Sequence, residues 1–264
     1  MFKYRLLATL FVGMAISAGS VTPSLAQTQG HRGTRAQSLV IAAAISDRDR
    51  PEEDRAADKA RRPAELIAFA GLTRGMKVAD IMPGRGYFTR LFSNVVGAKG
   101  HVWAVVPPSL MTQHPHAADA VQAIAANPAF RNVSVLQQPL SSLNVPEQLD
   151  MVWTSQNYHD VYYGAGADAA LSFDKAVFAS LRVGGTFIVI DHVANADASG
   201  DLSKLHRIDP AIIKQQVVAA GFQFESESKV LANPADSHEQ AVFDPAIRGH
   251  TDQVVLKFRK PVRK

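Results

Sequence analysis

At 264 residues and 47% hydrophobic, the chain is long enough to bury a full core in one domain, and its 20% of charged residues is ordinary for a globular protein. Setting aside Lys3 and Arg5 in a leader leaves 26 basic against 24 acidic residues, an excess too small to mark a nucleic-acid partner. With no cysteine there is no disulfide, no thiolate metal site and no lipid-bearing thiol.

Lys3 and Arg5 precede an apolar run, Leu6 to Ile16, and Ser24-Leu25-Ala26 offers a small-x-small cleavage site. Residues 1–26 therefore read as an export signal, cut after Ala26. The apolar run falls short of the ~20 residues that span a bilayer, so no stable membrane insertion is expected after its removal. The expected location is periplasmic or secreted. Residues 27–62 form an extension: a flexible arm at Gln27–Gln37, an Ala-rich helix at Ser38–Ile45, and a stretch from Asp47 to Arg62 dense in both charges. That last stretch reads as a solvated helix face laced with ion pairs. Two other roles stay open for it: a cover over a site, since Arg61 and Arg62 stand beside the apolar helix Pro63–Ala70, or a contact surface for a partner.

From residue 63 onward strands and helices alternate. Strands are predicted at Lys77–Ile81, His101–Val106, Val133–Gln137, Gln148–Thr154, Thr186–Asp191, Phe222–Val230 and Gln253–Phe258. Helices are predicted near Tyr87–Val96, Ser109–Ala126, Ala167–Leu181 and Asp209–Ala220. Strands separated by helices of this length imply βαβ units and a mostly parallel sheet covered on both faces.

The first strand ends in Asp80, and a turn containing Gly84 and Gly86 leads into the helix at Tyr87. Without Cβ atoms these glycines let backbone approach a ligand, and the helix start offers unpaired N–H groups. The layout, with Leu181-Arg-Val-Gly-Gly185 before the fifth strand, resembles the class I S-adenosylmethionine-dependent methyltransferases. More narrowly, the chain is similar to secreted bacterial predicted methyltransferases. The words carrying this are Lys59-Ala-Arg-Arg-Pro-Ala-Glu65, Gly75-Met-Lys-Val-Ala-Asp80, Gln156-Asn-Tyr-His-Asp160, Leu205-His-Arg-Ile-Asp-Pro210 and Arg248-Gly-His-Thr-Asp252. The resemblance implies a three-layer Rossmann-like sheet of seven strands in the order 3-2-1-4-5-7-6. It also implies S-adenosylmethionine as cofactor, with Asp80, Gly84, Gly86, Tyr87, Gln138 and Asn157 around it. The chain departs from the pattern at three places. Met82 stands where a glycine belongs, Val106 where an acid grips the ribose, and Gln137-Gln138-Pro139 where an acid meets the adenine.

Ligands of open parallel sheets sit beyond the carboxyl ends of the strands. His159, Asp160, Asp191 and His192 are expected to converge there, with Tyr158, His206 and Arg207 on the substrate side. In one reading His159 or His192 is a general base oriented by Asp160 or Asp191. In another, Asp160, Asp191 and His192 hold a divalent metal, a mixed set better suited to Zn or Mn than to Mg. Trp103 and Trp153 read as core residues, His114-Pro-His116 and Asp236-Ser-His238 as surface features. The long segment Leu231 to Asp252 is expected to shape an acceptor pocket. The function implied is methyl transfer to the oxygen or nitrogen of a small molecule. The alternatives are a degenerate fold serving as a periplasmic metal-dependent or ligand-binding protein, and a non-catalytic envelope partner.

Overall fold

The computed structural model describes residues 25–196 and 201–262, so all but the last two residues of the expected leader, 1–26, lie outside the described residues. The chain divides into residues 1–36 and residues 37–264. In the first unit the described backbone is helical, part of α1 (Leu25–Ile45). Helix replaces the expected flexible arm because Gln, Ala and Arg favour it, while Gly30 and Gly33 cost only about 1 kcal/mol each.

The second unit holds a seven-stranded sheet: β1 (Lys77–Ile81), β2 (His101–Val105), β3 (Val133–Leu136), β4 (Leu149–Ser155), β5 (Leu181–His192), β6 (Gln223–Ser228) and β7 (Gln253–Arg259). Its order is β3-β2-β1-β4-β5-β7-β6, as expected, with β7 antiparallel to both neighbours and the other pairings parallel. Helices α2 (Glu52–Arg61), α3 (Pro63–Ala70), α4 (Tyr87–Val96), α5 (Pro108–Gln113), α6 (Asp119–Ala126), α7 (Tyr158–Ala165), α8 (Ala167–Ser180), α9 (Leu202–Leu205) and α10 (Pro210–Ala219) complete it. Among the described residues no helix is long and apolar enough to cross a membrane.

Two expectations are corrected here. The helix predicted over Ser109–Ala126 breaks into α5 and α6, because Pro115 disfavours helical backbone at His114, which lies at φ −133° and ψ 86°. And α7, where no helix is predicted, starts directly after Asn157 and ends at Gly166, whose φ is +92°.

The strands alternate cleanly between two cores. Val78, Val102, Ala104, Met151, Trp153, Ile188 and Ile190 face the α4 side, where Trp153 packs on Phe88 and Phe92 at 4.7 and 5.1 Å between centroids. Ala79, Ile81, Trp103, Val105, Val152, Phe187 and Val189 face the α7–α8–α10 side, with Tyr158, Phe173, Val177 and Ile213. Both tryptophans are core residues, as expected. This period of two also decides where the polar strand ends point. Asp80 shares its face with Val78 and reaches α4; Asp191 follows Phe187 and Val189, and His192 follows Ile188 and Ile190.

Candidate functional site

Chain order reverses between β1 and β4, so the crevice beyond their carboxyl ends is the topological switch point of the sheet. A cleft of about 360 Å³ opens there, lined by Asp80, Met82, Gly84, Arg85, Tyr87 and Asn157 among others. The volume lies within the range of small-molecule sites. Both strand ends turn through left-handed backbone at residues with side chains, Met82 at φ 50° and Gln156 at φ 62°. Asn157 holds that corner, its Nδ2 donating to the carbonyls of Ile81 and Met82 at 3.2 Å each. Met82 thus keeps the bend a glycine would make and adds a side chain to the cleft wall.

The two glycines of the turn do different work. At Gly84, with φ +56°, a Cβ would meet nothing within 4 Å, so the backbone is open to the cleft. At Gly86, with φ +79°, a Cβ would fall 2.2 Å from Ile124 Cδ1 in α6. Its absence serves packing of α6 on the start of α4, not a ligand. Asp80 is buried, and Thr89 Oγ1 donates to its Oδ2 at 2.7 Å. Burial raises its pKa to about 7, against the opposing pull of the Thr89 hydrogen bond and the Arg61 charge. Among the described residues no cation lies within ion-pair distance of Asp80, so the cleft floor carries a titratable carboxylate without a counter-ion.

The charged helix α2 keeps one face in solvent, as expected, and turns the other inward. It covers this corner, contributing Glu53, Asp54, Ala57 and Arg61 to the cleft lining. Arg90 pairs with buried Asp54 at 3.0 Å, Tyr87 Oη donates to Asp58 at 2.6 Å, and Arg50 grips Asp58 through both Nη atoms at 2.9 and 2.6 Å. Among the described residues Arg61 has no carboxylate within ion-pair distance; its guanidinium stands 4.8 Å from the centre of the Tyr87 ring. Composition shows the charges of α2 but not their partners, which are Arg90 and Tyr87 on α4, Arg85 just before it and Arg50 ahead of α2.

A second cleft, of about 380 Å³, shares Ala57, Arg61, Phe88, Ser155 and Gln156 with the first. Its far wall is His192 together with Leu231, Val242, Phe243, Arg248 and Thr251, so the long segment does line a pocket. His192 is buried, its Nδ1 2.8 Å from Thr251 Oγ1, and desolvation lowers its pKa to about 4 even though Asp191 pulls the other way. It is neutral at working pH.

The expected convergence of four polar residues divides in two. His192 lines the second cleft, whereas His159 and Asp191 form a separate buried pair. Asp191 Oδ1 accepts from His159 Nδ1 at 2.7 Å, and its Oδ2 accepts from the His159 backbone N–H at 2.8 Å. Burial works against the imidazolium of His159, but Asp191 and Asp160 outweigh it and raise the pKa to about 10. Asp160 is pulled below its usual range: burial pushes it up, and His159 and His206 more than reverse that. The metal set Asp160, Asp191 and His192 is not assembled, because the oxygens of Asp191 are committed to His159 and the His192 backbone.

Other residues are placed differently from expectation. Tyr158, expected on the substrate side, is fully buried and donates its hydroxyl to buried Asp174 at 2.7 Å. Arg207, expected to meet a substrate or Asp209, is fully buried and grips Asp236 at 2.8 and 3.1 Å. Asp209 instead caps α10, accepting from Ala211 N–H at 2.8 Å. Of Asp236 and His238, read as surface features, Asp236 is buried and His238 half-buried, bridging Asn195 and Asp252 at 2.7 and 3.1 Å. Gln138 does not line either cleft; its Oε1 accepts from Asn144 N–H at 3.2 Å. Val106 is buried at the end of β2 and offers no ribose contact. His116 is exposed and pairs with Asp119 at 2.8 Å.

No protein-family model and no curated protein sequence matches the chain. Solved structures do match. A SAM-dependent methyltransferase from Aquifex aeolicus aligns with a TM-score of 0.56 at 15% identity, over 77% of this chain and 98% of that one. The CcbJ methyltransferase from Streptomyces caelestis aligns at 0.51 and 14%, over 78% and 90%. The chain has the class I methyltransferase fold. The [4+2]-cyclase SpnF aligns as well, with a TM-score of 0.54 at 19% identity over 80% of this chain and 82% of that one. The methyltransferase fold therefore carries more than one reaction, and the chemistry has to be argued from the site.

Proposed function

We propose that the chain is an exported methyltransferase that uses S-adenosylmethionine to methylate an oxygen or nitrogen of a small acceptor. The observation that carries this reading is the pair of clefts with a common wall, Asp80 and Gly84 in one and His192 in the other. Bound S-adenosylmethionine supplies a methyl group on a sulfonium cation. The residues of the first cleft fit its amino-acid end: Asp80 is a carboxylate in want of a cation, and Arg61 offers a guanidinium for a carboxylate, with Arg85 nearby in a solvent-exposed pair with Glu53. Asn157 and the open backbone at Gly84 set the shape of the corner. Across Ser155 and Gln156, neutral His192 is placed to accept a proton from an acceptor hydroxyl or amine, and Thr251 fixes its ring. The segment carrying Val242, Phe243 and Thr251 closes the acceptor side against water.

Calorimetry tests this directly. S-adenosylmethionine and its demethylated product are expected to bind at one site per chain, and a flat titration at millimolar ligand rejects the reading. Val106 favours a second reading, in which the clefts take a different small ligand, because the charge-assisted grip on a ribose is missing and such a bond contributes about 1.5–3 kcal/mol. Export belongs to the proposal through residues 1–26. Its check is N-terminal sequencing of chain recovered from the envelope fraction: a start at Gln27 supports it, and an intact leader on cytoplasmic protein overturns it.

A further inference from the structure

We infer that His159, Asp160 and His206 form a binding site for a divalent first-row transition metal, separate from both clefts. Their ligand atoms make a triangle. His159 Nε2 lies 3.1 Å from His206 Nδ1 and 3.2 Å from Asp160 Oδ1, and His206 Nδ1 lies 3.5 Å from the same oxygen. A metal bound at about 2.0–2.1 Å with tetrahedral or octahedral angles sets neighbouring ligand atoms about 2.8–3.4 Å apart. Two of the observed edges fall inside that range and the third, at 3.5 Å, lies just beyond it, so a small closing of His206 toward Asp160 makes one face of such a shell.

The hydrogen-bond inventory points the same way. Asp191 is fully buried and can only accept, so His159 Nδ1 carries a proton and donates it there. That leaves His159 Nε2 facing His206 Nδ1 and Asp160 Oδ1, three groups converging on one point, with a proton on Nε2 that an incoming ion displaces. A proton can bridge one edge of this triangle; a divalent ion satisfies all three corners. Asp191 behind His159 is the outer carboxylate that orients a metal-bound imidazole and raises its basicity. The backbone is shaped to the purpose too. His159 and Asp160 come together on the first turn of α7, and His206 takes a left-handed φ of 54° that turns its ring toward them. Phe243 packs edge-on against that ring at 4.8 Å between centroids. Asp160 and His206 are partly exposed, so an ion can enter and keep water at its remaining positions. Two imidazoles with one carboxylate suit Zn²⁺ or a neighbouring ion far better than Mg²⁺.

The test is calorimetric titration of the full chain, purified without chelator, with Zn²⁺ alone. One ion per chain is expected at micromolar affinity or tighter, with His206→Ala and Asp160→Asn each weakening it by about 100-fold or more. His116→Ala, at an exposed histidine elsewhere, should leave it unchanged. Absence of saturable uptake, or uptake indifferent to both ligand variants, overturns the assignment. Co²⁺ provides a second reading that needs no variant: a protein-bound visible absorption band is expected at one equivalent, and a spectrum equal to that of aqueous Co²⁺ overturns the site.

Discussion

Asp80→Asn should make the protein more stable at pH 8 while weakening its grip on the cofactor. The carboxylate is buried beside Thr89 with a folded pKa of about 7, well above its ordinary 3.8. Because the folded pKa is raised, the folded state holds a proton that the unfolded chain has released between pH 4 and 7. Stability therefore falls as pH rises through that window, by an amount on the order of 4 kcal/mol across it. An amide keeps the shape and still accepts from Thr89, and it has no charge to bury. Thermal unfolding should show the variant well above the parent at pH 8 and level with it at pH 4. For S-adenosylmethionine the parent's affinity should rise with pH up to about 7, since an ammonium favours the ionised carboxylate. In the variant it should be weaker by about 10- to 100-fold, in keeping with the loss of a charged hydrogen bond. A variant less stable than its parent at pH 8 would show that Asp80 is ionised and compensated in the fold. Undiminished binding would remove Asp80 from the cofactor site.

The second large effect is structural, at Arg207. Its guanidinium is fully buried, paired with Asp236 and donating to the carbonyls of Val193 and Gln240 at 3.0 Å each. Arg207→Ala leaves a buried carboxylate with only backbone donors, those of His238 and Asp252. Losing one partner of a buried pair costs about 3–5 kcal/mol, which for a domain of this size is a fall in Tm of roughly 10 °C. Burial pushes Asp236 up, yet the Arg207 hydrogen bond and two backbone bonds hold its pKa below the ordinary value. The pair's contribution is thus present above the ordinary carboxylate range and is lost as pH falls through it. The same contacts anchor the segment that walls the second cleft, so acceptor binding should weaken alongside stability. A cost under about 1 kcal/mol in denaturant unfolding would show that the segment is held by its apolar residues instead.

How far the chain could be read in advance differs sharply from one residue to the next. The strand end at Asp80 and the turn at Gly84 were legible because a β-prone run, an acid and a glycine turn are contiguous, whereas Arg61 and Asn157 reach the same corner from far along the chain. Asp191 and His192 were legible as a polar strand end but not as divided, since adjacent residues on a strand project to opposite faces. Arg207 and Asp236 were misread for a different reason: their partnership spans 29 residues, and nothing local distinguishes a buried arginine from a solvated one. The charges of α2 likewise took their meaning from Asp54 meeting Arg90 and Asp58 meeting Tyr87, contacts that cross to α4.

The alternation of strands and helices, with apolar residues repeating at each element's own period, was enough to determine the α/β class and the seven-stranded sheet, because those depend on local periodicity and burial. Which polar groups meet, and therefore where the two clefts and the His159–Asp160–His206 triangle stand, was decided only by tertiary packing. Hydrogen bonds and ion pairs act over about 3 Å, and only the folded chain brings residues 47 positions apart within that reach.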